Sequence, residues 1–177
     1  MTTLNKHTDV IVAPDKNQEA IIWKLLEDIP DPEVPVLSVL DLGIVRNVSI
    51  NNFPADGGME IEISITPTYS GCPAMDMIAM NIKLHLISHG YNKIKIISVL
   101  SPAWTTDWMT EAGKNKLKIY GIAAPHLMSD NNSDDRIECP QCNSLNTRLL
   151  SQFGSTACKA LYQCNDCKEP FDYFKCH

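Results

Sequence analysis

The sequence predicts an α/β (α+β) fold: a small mixed sheet in the order α-β-β-α-β-α, followed by a C-terminal zinc ribbon. Three observations predict it. Apolar residues alternate between helical spacing and the period of two that marks strands. A polar, aperiodic run, HLMSDNNSDDR, then interrupts all periodicity. Beyond it lie two CxxC pairs in a stretch too short to bury a self-sufficient core. The expected division is residues 1–125 as the α/β domain, 126–136 as a linker and 137–177 as the ribbon.

The first element is NQEAIIWKLLEDI, an amphipathic helix whose stripe is Ile21, Ile22, Leu25, Leu26 and Ile29, stopped by Pro30 and Pro32. With prolines at 32 and 35, DPEVPVLSVLDLG cannot continue as regular helix. GIVRNVSINN and MEIEISITPT alternate as strands, and FPADGG between them has the composition of a hairpin turn. From Pro73 to His89 the spacing is helical again, with Gly90 as the stop. This helix has two apolar stripes: Met75, Ile78, Ile82 and Leu86 on one side, Met77, Met80, Leu84 and Ile87 on the other. Such a helix packs against the sheet and against something else, a second subunit being one candidate. KIKIISVL is the third strand, and SPAWTTDW leads into a helix over MTEAGKNKLKIYG.

In the tail, Cys139, Cys142, Cys164 and Cys167 offer four thiolates in two knuckles, the donor set of a tetrahedral zinc site. TRLLSQF, KALYQC and EPFDYF supply strands around them. Iron in the same geometry stays open. Cys158, Cys176 and His177 are left over, with Cys158 expected as a small buried thiol.

Cys72 stands alone, between Gly71 and Pro73, where a helix begins. Beside the unpaired N–H groups of that helix start, a thiol is expected below its ordinary pKa of ~8.5. Gly71 would let a backbone or ligand come close. His85 and His89 are thirteen and seventeen residues along the same helix, ~20 Å or more away, so no cysteine–histidine dyad is built locally; His7 or His126 could approach only through the fold. A thiolate with no base suits metal or cluster ligation. Asp31 and Glu33 are either ligands and acid/base groups or loop-capping carboxylates, and Asp41 poses the same choice. Met75, Met77 and Met80 belong to the apolar stripes. Trp104 and Trp108 either pack in the core or rim the Cys72 pocket.

The formal net charge of -6, with no lysine- or arginine-rich block, argues against a nucleic-acid surface. No apolar run approaches the ~18 residues of a membrane span, and the first residues lack a signal segment. A cytoplasmic protein is expected, where seven cysteines point to metal or chemistry more than to disulfides.

Together, DPEVPVLSVLDLGIV, TPTYSGCPAMDMI and LSPAWTTDWMTEAGKNKLKIYGIAAP resemble the domain shared by iron–sulfur cluster assembly and targeting factors. With the tail, CPQCNS…FGSTACKALYQCNDCKEPFDYFKCH, the chain is similar to the family of D subunits of phenylacetyl-CoA epoxidase systems. The resemblance implies an accessory role in maturing or repairing a metal centre, with the oxygenase and iron–sulfur reductase components as partners. It implies a transient iron or Fe–S cluster at Cys72, zinc in the ribbon, a homodimer, and Asp31, Glu33 and Thr66 as neighbours of the Cys72 pocket. The alternatives are a subunit taking direct part in the oxygenase reaction, and a zinc-ribbon binding module that transfers no metal.

Overall fold

The computed structural model describes residues 16–53, 58–125 and 137–175. The expected linker, residues 126–136, lies outside them, as do His7, His126, Cys176, His177 and most of the first hairpin turn.

Helix α1 (Lys16–Glu27) buries Ile22 and Leu26 and leaves Ile21 exposed on the stripe's flank. The proline-rich stretch after it closes on itself. Asp31 N–H donates to the Leu37 carbonyl at 2.8 Å and Val39 N–H to the Ile29 carbonyl at 2.9 Å. That closure drives Val34, Leu37 and Val39 into the core. At its end Gly43 has φ +66, and a Cβ there would sit 2.1 Å from the Trp108 carbonyl oxygen, so both conformation and space require glycine.

Strand β1 (Val45–Phe53) pairs antiparallel with β2 (Gly58–Ile65), and β2 pairs parallel with β3 (Lys93–Ser98). This is the mixed sheet the sequence predicts, in the order β1-β2-β3. Parallel pairing needs a crossover, which α2 (Ala74–Ser88) supplies. Alternation places Val48 and Ile50 of β1, and Ile61, Ile63 and Ile65 of β2, in one core with Ile78, Ile82 and Leu86 of α2. The second stripe of α2 stays outside: Met77, Met80, Leu84 and Ile87 are 49–57% exposed. After β3 a short 3-10 turn (Thr106–Trp108) leads to α3 (Glu111–Tyr120), where the Thr110 hydroxyl caps the helix by accepting from Gly113 N–H at 2.9 Å.

The second sheet has the order β4-β7-β6-β5. Its strands are β4 (Ile122–Ala123), β5 (Thr147–Ser151), β6 (Lys159–Cys164) and β7 (Pro170–Phe174). Strand β4 follows α3 directly and pairs parallel with β7, so the ribbon's sheet starts in the chain before the linker. At one end of this sheet a small cluster of Ala123, Ile137 and Phe171 surrounds Cys139 and Cys164. At the other end Cys158 and Phe174 are buried in the core of the first domain, with the Phe174 ring edge-on to Trp104 at 6.3 Å. The ribbon therefore leans on its neighbour as well as on its own cysteine cluster.

Candidate functional site

The four ribbon cysteines converge. Their sulfurs all lie within 4.8 Å of one another, with Cys139 to Cys167 at 3.7 Å and Cys142 to Cys164 at 3.6 Å. A tetrahedron with metal–sulfur arms of ~2.3 Å has edges of about 3.8 Å. A disulfide would need about 2.05 Å. The spacing thus fits four thiolates around one metal, with zinc the ion that such a closed sulfur set suits best. Each knuckle is built the same way. The residue after its second cysteine, Asn143 or Lys168, has a positive φ (60 and 67), and backbone N–H groups turn toward the first sulfur. At Cys164 those donors prevail and bring the thiol down to about 7, whereas at Cys139 burial outweighs them and the shift is upward.

The second site lies where the sequence placed a lone thiol. After β2 the chain turns through Tyr69–Cys72, with Cys72 N–H donating to the Tyr69 carbonyl at 3.3 Å, and Pro73 occupies the cap position of α2. Gly71 has φ +83, and a Cβ there would meet nothing within 4 Å. Its positive φ serves the turn, and no backbone of the described residues comes close to it.

Cys72 opens into a cavity of about 20 Å³ shared with Asp31, Glu33, Thr68, Met75 and Cys158, over an apolar floor that includes Ile44 and Phe174. That volume accommodates about one water-sized body. Asp31 is buried and its Oδ1 accepts from Val34 N–H at 2.7 Å and Glu33 N–H at 2.9 Å, which fixes the turn that aims Glu33 inward. Burial lifts Asp31 above the usual carboxylate range against those two donors. Glu33 Oε2 accepts from the Cys158 thiol at 3.2 Å, across 125 residues of sequence. Burial pushes Cys158 up to about 12; the Thr156 hydroxyl at 3.0 Å pulls the other way and Glu33 adds to the rise.

The electrostatics at Cys72 correct the expectation of a lowered pKa. Burial raises it most. The Ala74 N–H at the start of α2 and the Tyr69 hydroxyl lower it, but the Glu33 and Asp31 carboxylates push it up again, and the net shift is upward. The helix end acts as predicted and is outweighed.

Other candidates are sorted by position. Asp31 caps a loop, as one alternative has it, and also lines the cavity. Asp41 does not line it. Its carboxylate accepts from Ser38 N–H and the Thr110 hydroxyl, each at 3.0 Å, and pairs with Lys116 at 2.6 Å, tying the loop to α3. Thr66, placed by resemblance beside the Cys72 pocket, is buried instead under an adjoining depression with Tyr69, Leu100 and Trp104. Its N–H donates to the Ile44 carbonyl at 2.8 Å, continuing the sheet, and Thr68 is the threonine that lines the cavity with Cys72. Trp104 is core, with Nε1 donating to the Leu42 carbonyl at 2.8 Å. His85 and His89 lie against each other, ring centroids 4.6 Å apart, and neither lines the cavity. Sequence reasoning missed Thr68, Phe174 and the position of Cys158. Thr68 sits in the TPT run next to the named residues and was within reach; Cys158 had no local signal at all.

Comparison with known proteins finds two family models along the chain. Residues 19–92 match the model of the family described as "Iron-sulfur cluster assembly protein", and residues 123–175 match the "PaaD zinc beta ribbon domain". A relative in Escherichia coli (strain K12), the D subunit of the "Putative 1,2-phenylacetyl-CoA epoxidase", is 47% identical over 166 residues, 93% of this chain and 96% of its own. Among solved structures, a domain of unknown function from Bacillus anthracis is 27% identical, with a TM-score of 0.49 over 57% of this chain and 92% of its own. A Mycobacterium tuberculosis protein described as associated with Fe–S complex assembly and repair is 29% identical, with a TM-score of 0.36 over 66% of this chain and 94% of its own. With nearly the whole length aligned at that level of identity to this epoxidase component, and with both domains matched in order, the chain belongs to the PaaD family, in which an iron–sulfur assembly domain is joined to a zinc ribbon.

Proposed function

We propose that this chain is an accessory maturation factor of a phenylacetyl-CoA epoxidase system, acting in the cytoplasm to assemble or repair an iron–sulfur or di-iron centre. Iron or a cluster is its cargo, held in passing by Cys72 with Asp31 and Glu33 close by. The ribbon, kept rigid by zinc, presents that cargo to the oxygenase and iron–sulfur reductase components. The exposed stripe of α2 pairs two copies.

One observation carries this reading: thiols and carboxylates meet in a cavity that, among the described residues, no histidine lines. Acyl transfer from a thiol needs a base to activate it, whereas a metal ion displaces the thiol proton itself. The chain also has no Glu-x-x-His motif for a di-iron site and no Gly-x-Gly-x-x-Gly dinucleotide fingerprint. Epoxidase produced in cells whose only copy of this protein is Cys72→Ala should contain several-fold less iron than epoxidase made beside the wild type. The two variants must be present at equal levels. Normal iron content would sink the proposal.

A further inference from the structure

We infer that Cys158, carried by the ribbon, is the second thiol ligand of the Cys72 site, and that Cys72, Cys158 and Glu33 together hold one divalent transition-metal ion rather than a cluster. The inference rests on the proposed role of Cys72 in holding metal, and narrows it.

Position comes first. Strand β6 runs from Lys159 to Cys164. One strand therefore places Cys164 in the four-sulfur centre and Cys158 about 20 Å away, at ~3.3 Å per residue, inside the other domain's cavity. The two ends of the ribbon face two different thiol sites.

Chemistry comes second. A cysteine that only fills space is surrounded by apolar atoms. Cys158 is 3% exposed, yet its sulfur faces the Glu33 carboxylate at 3.2 Å and the Thr156 hydroxyl at 3.0 Å. Glu33 is half-buried, and its carboxylate and the buried Cys158 sulfur meet as two potential metal donors on one side of the Cys72 cavity. Two thiolates and a carboxylate are a donor set for zinc, cobalt or ferrous iron. Lys159 adds one positive charge nearby, and Asp172 pairs with it at 3.7 Å. Binding forms two metal–sulfur bonds and releases two thiol protons to solvent, with no electron transferred.

Size comes third. Room for about one water-sized body admits a single ion, while a cluster with bridging sulfides would have to displace the apolar floor. Among the described residues, only the ribbon cysteines bring three or more His, Cys, Asp or Glu ligand atoms within 4.8 Å of one another. Cys72, Cys158 and Glu33 line one cavity without forming such a group, so an ion has to draw them together. They close on the ion less tightly than the ribbon does, which suits a cargo that must leave.

The test is anaerobic titration of the full-length, zinc-loaded protein with Co²⁺, which reports thiolate ligation by its sulfur-to-cobalt charge-transfer absorption. Wild type should bind one cobalt per chain beyond the zinc, with the intensity of two thiolates. Cys158→Ala should halve that intensity and weaken binding by at least about tenfold, and Glu33→Gln should weaken binding while keeping both thiolates. Retained zinc and an unchanged circular dichroism spectrum certify each variant's fold. Undiminished affinity and absorption in Cys158→Ala would overturn the inference, as would metal uptake in wild type that requires inorganic sulfide. The function is read separately, from the iron content of epoxidase made beside Cys158→Ala. Lost cobalt binding with normally metallated epoxidase would leave the site standing and defeat the maturation proposal. Iron-poor epoxidase with Cys72→Ala, together with wild-type cobalt binding indifferent to Cys158, would do the reverse.

Discussion

Cys72 is a contest between a helix terminus and its surroundings. N–H groups at the start of α2 favour the thiolate, and so does the Tyr69 hydroxyl; burial and two carboxylates favour the thiol, and they win. In metal-free protein, alkylation of Cys72 should be slow at neutral pH and rise with an apparent pKa above the ~8.5 of a free thiol. Glu33→Gln, which removes one opposing charge, should bring that value down, and Tyr69→Phe should take it further up. An apparent pKa below the free-thiol value would show that the helix end dominates after all. The sequence located Cys72 at a strand-to-helix turn, where the structure has it, because Gly-Cys-Pro there is a local pattern. It misjudged the field, because the opposing charges come from a loop some forty residues earlier in the chain.

Elements were the most legible level. Local pattern located the helices and every strand but the two-residue β4, and the CxxC spacing located the four-cysteine centre, since each is written within a few residues. On α2 both predicted stripes exist: one is core, and the other carries four large apolar side chains in solvent. An apolar patch of that kind on an isolated chain marks an interaction surface, and the proposed dimer covers it. Leu84→Glu should convert the dimer to monomer in sedimentation or light scattering with little loss of fold, because Leu84 is 57% exposed. Wild-type protein that is monomeric at all concentrations would remove this part of the proposal.

At the scale of the molecule, the ribbon is a roof over the Cys72 cavity. Cys158 and Phe174 belong to the ribbon in sequence and to the first domain in packing. No local pattern announces this, since the Cys158–Glu33 contact exists only once both domains have folded and docked. We propose residues 137–177 as the unit that the metal folds. A structural zinc contributes on the order of 10 kcal/mol to such a unit, so Cys164→Ser should lose the ion and unfold the tail. The first domain should keep its sheet, and Cys72, with its roof gone, should alkylate faster than in wild type. A folded, metal-loaded tail in that variant would contradict the ligand assignment.

The central claim is that this chain serves the making of the epoxidase and not its turnover. The most direct measurement is epoxidase activity, per mole of enzyme, with fully metallated oxygenase and reductase components purified free of this protein, and then with it added back. The account predicts equal rates with and without it, while metal-poor epoxidase should regain activity only after prior incubation with iron-loaded wild type and not with Cys72→Ala. A stoichiometric requirement for this protein in each turnover of fully metallated enzyme would contradict the account and make the chain a working part of the oxygenase.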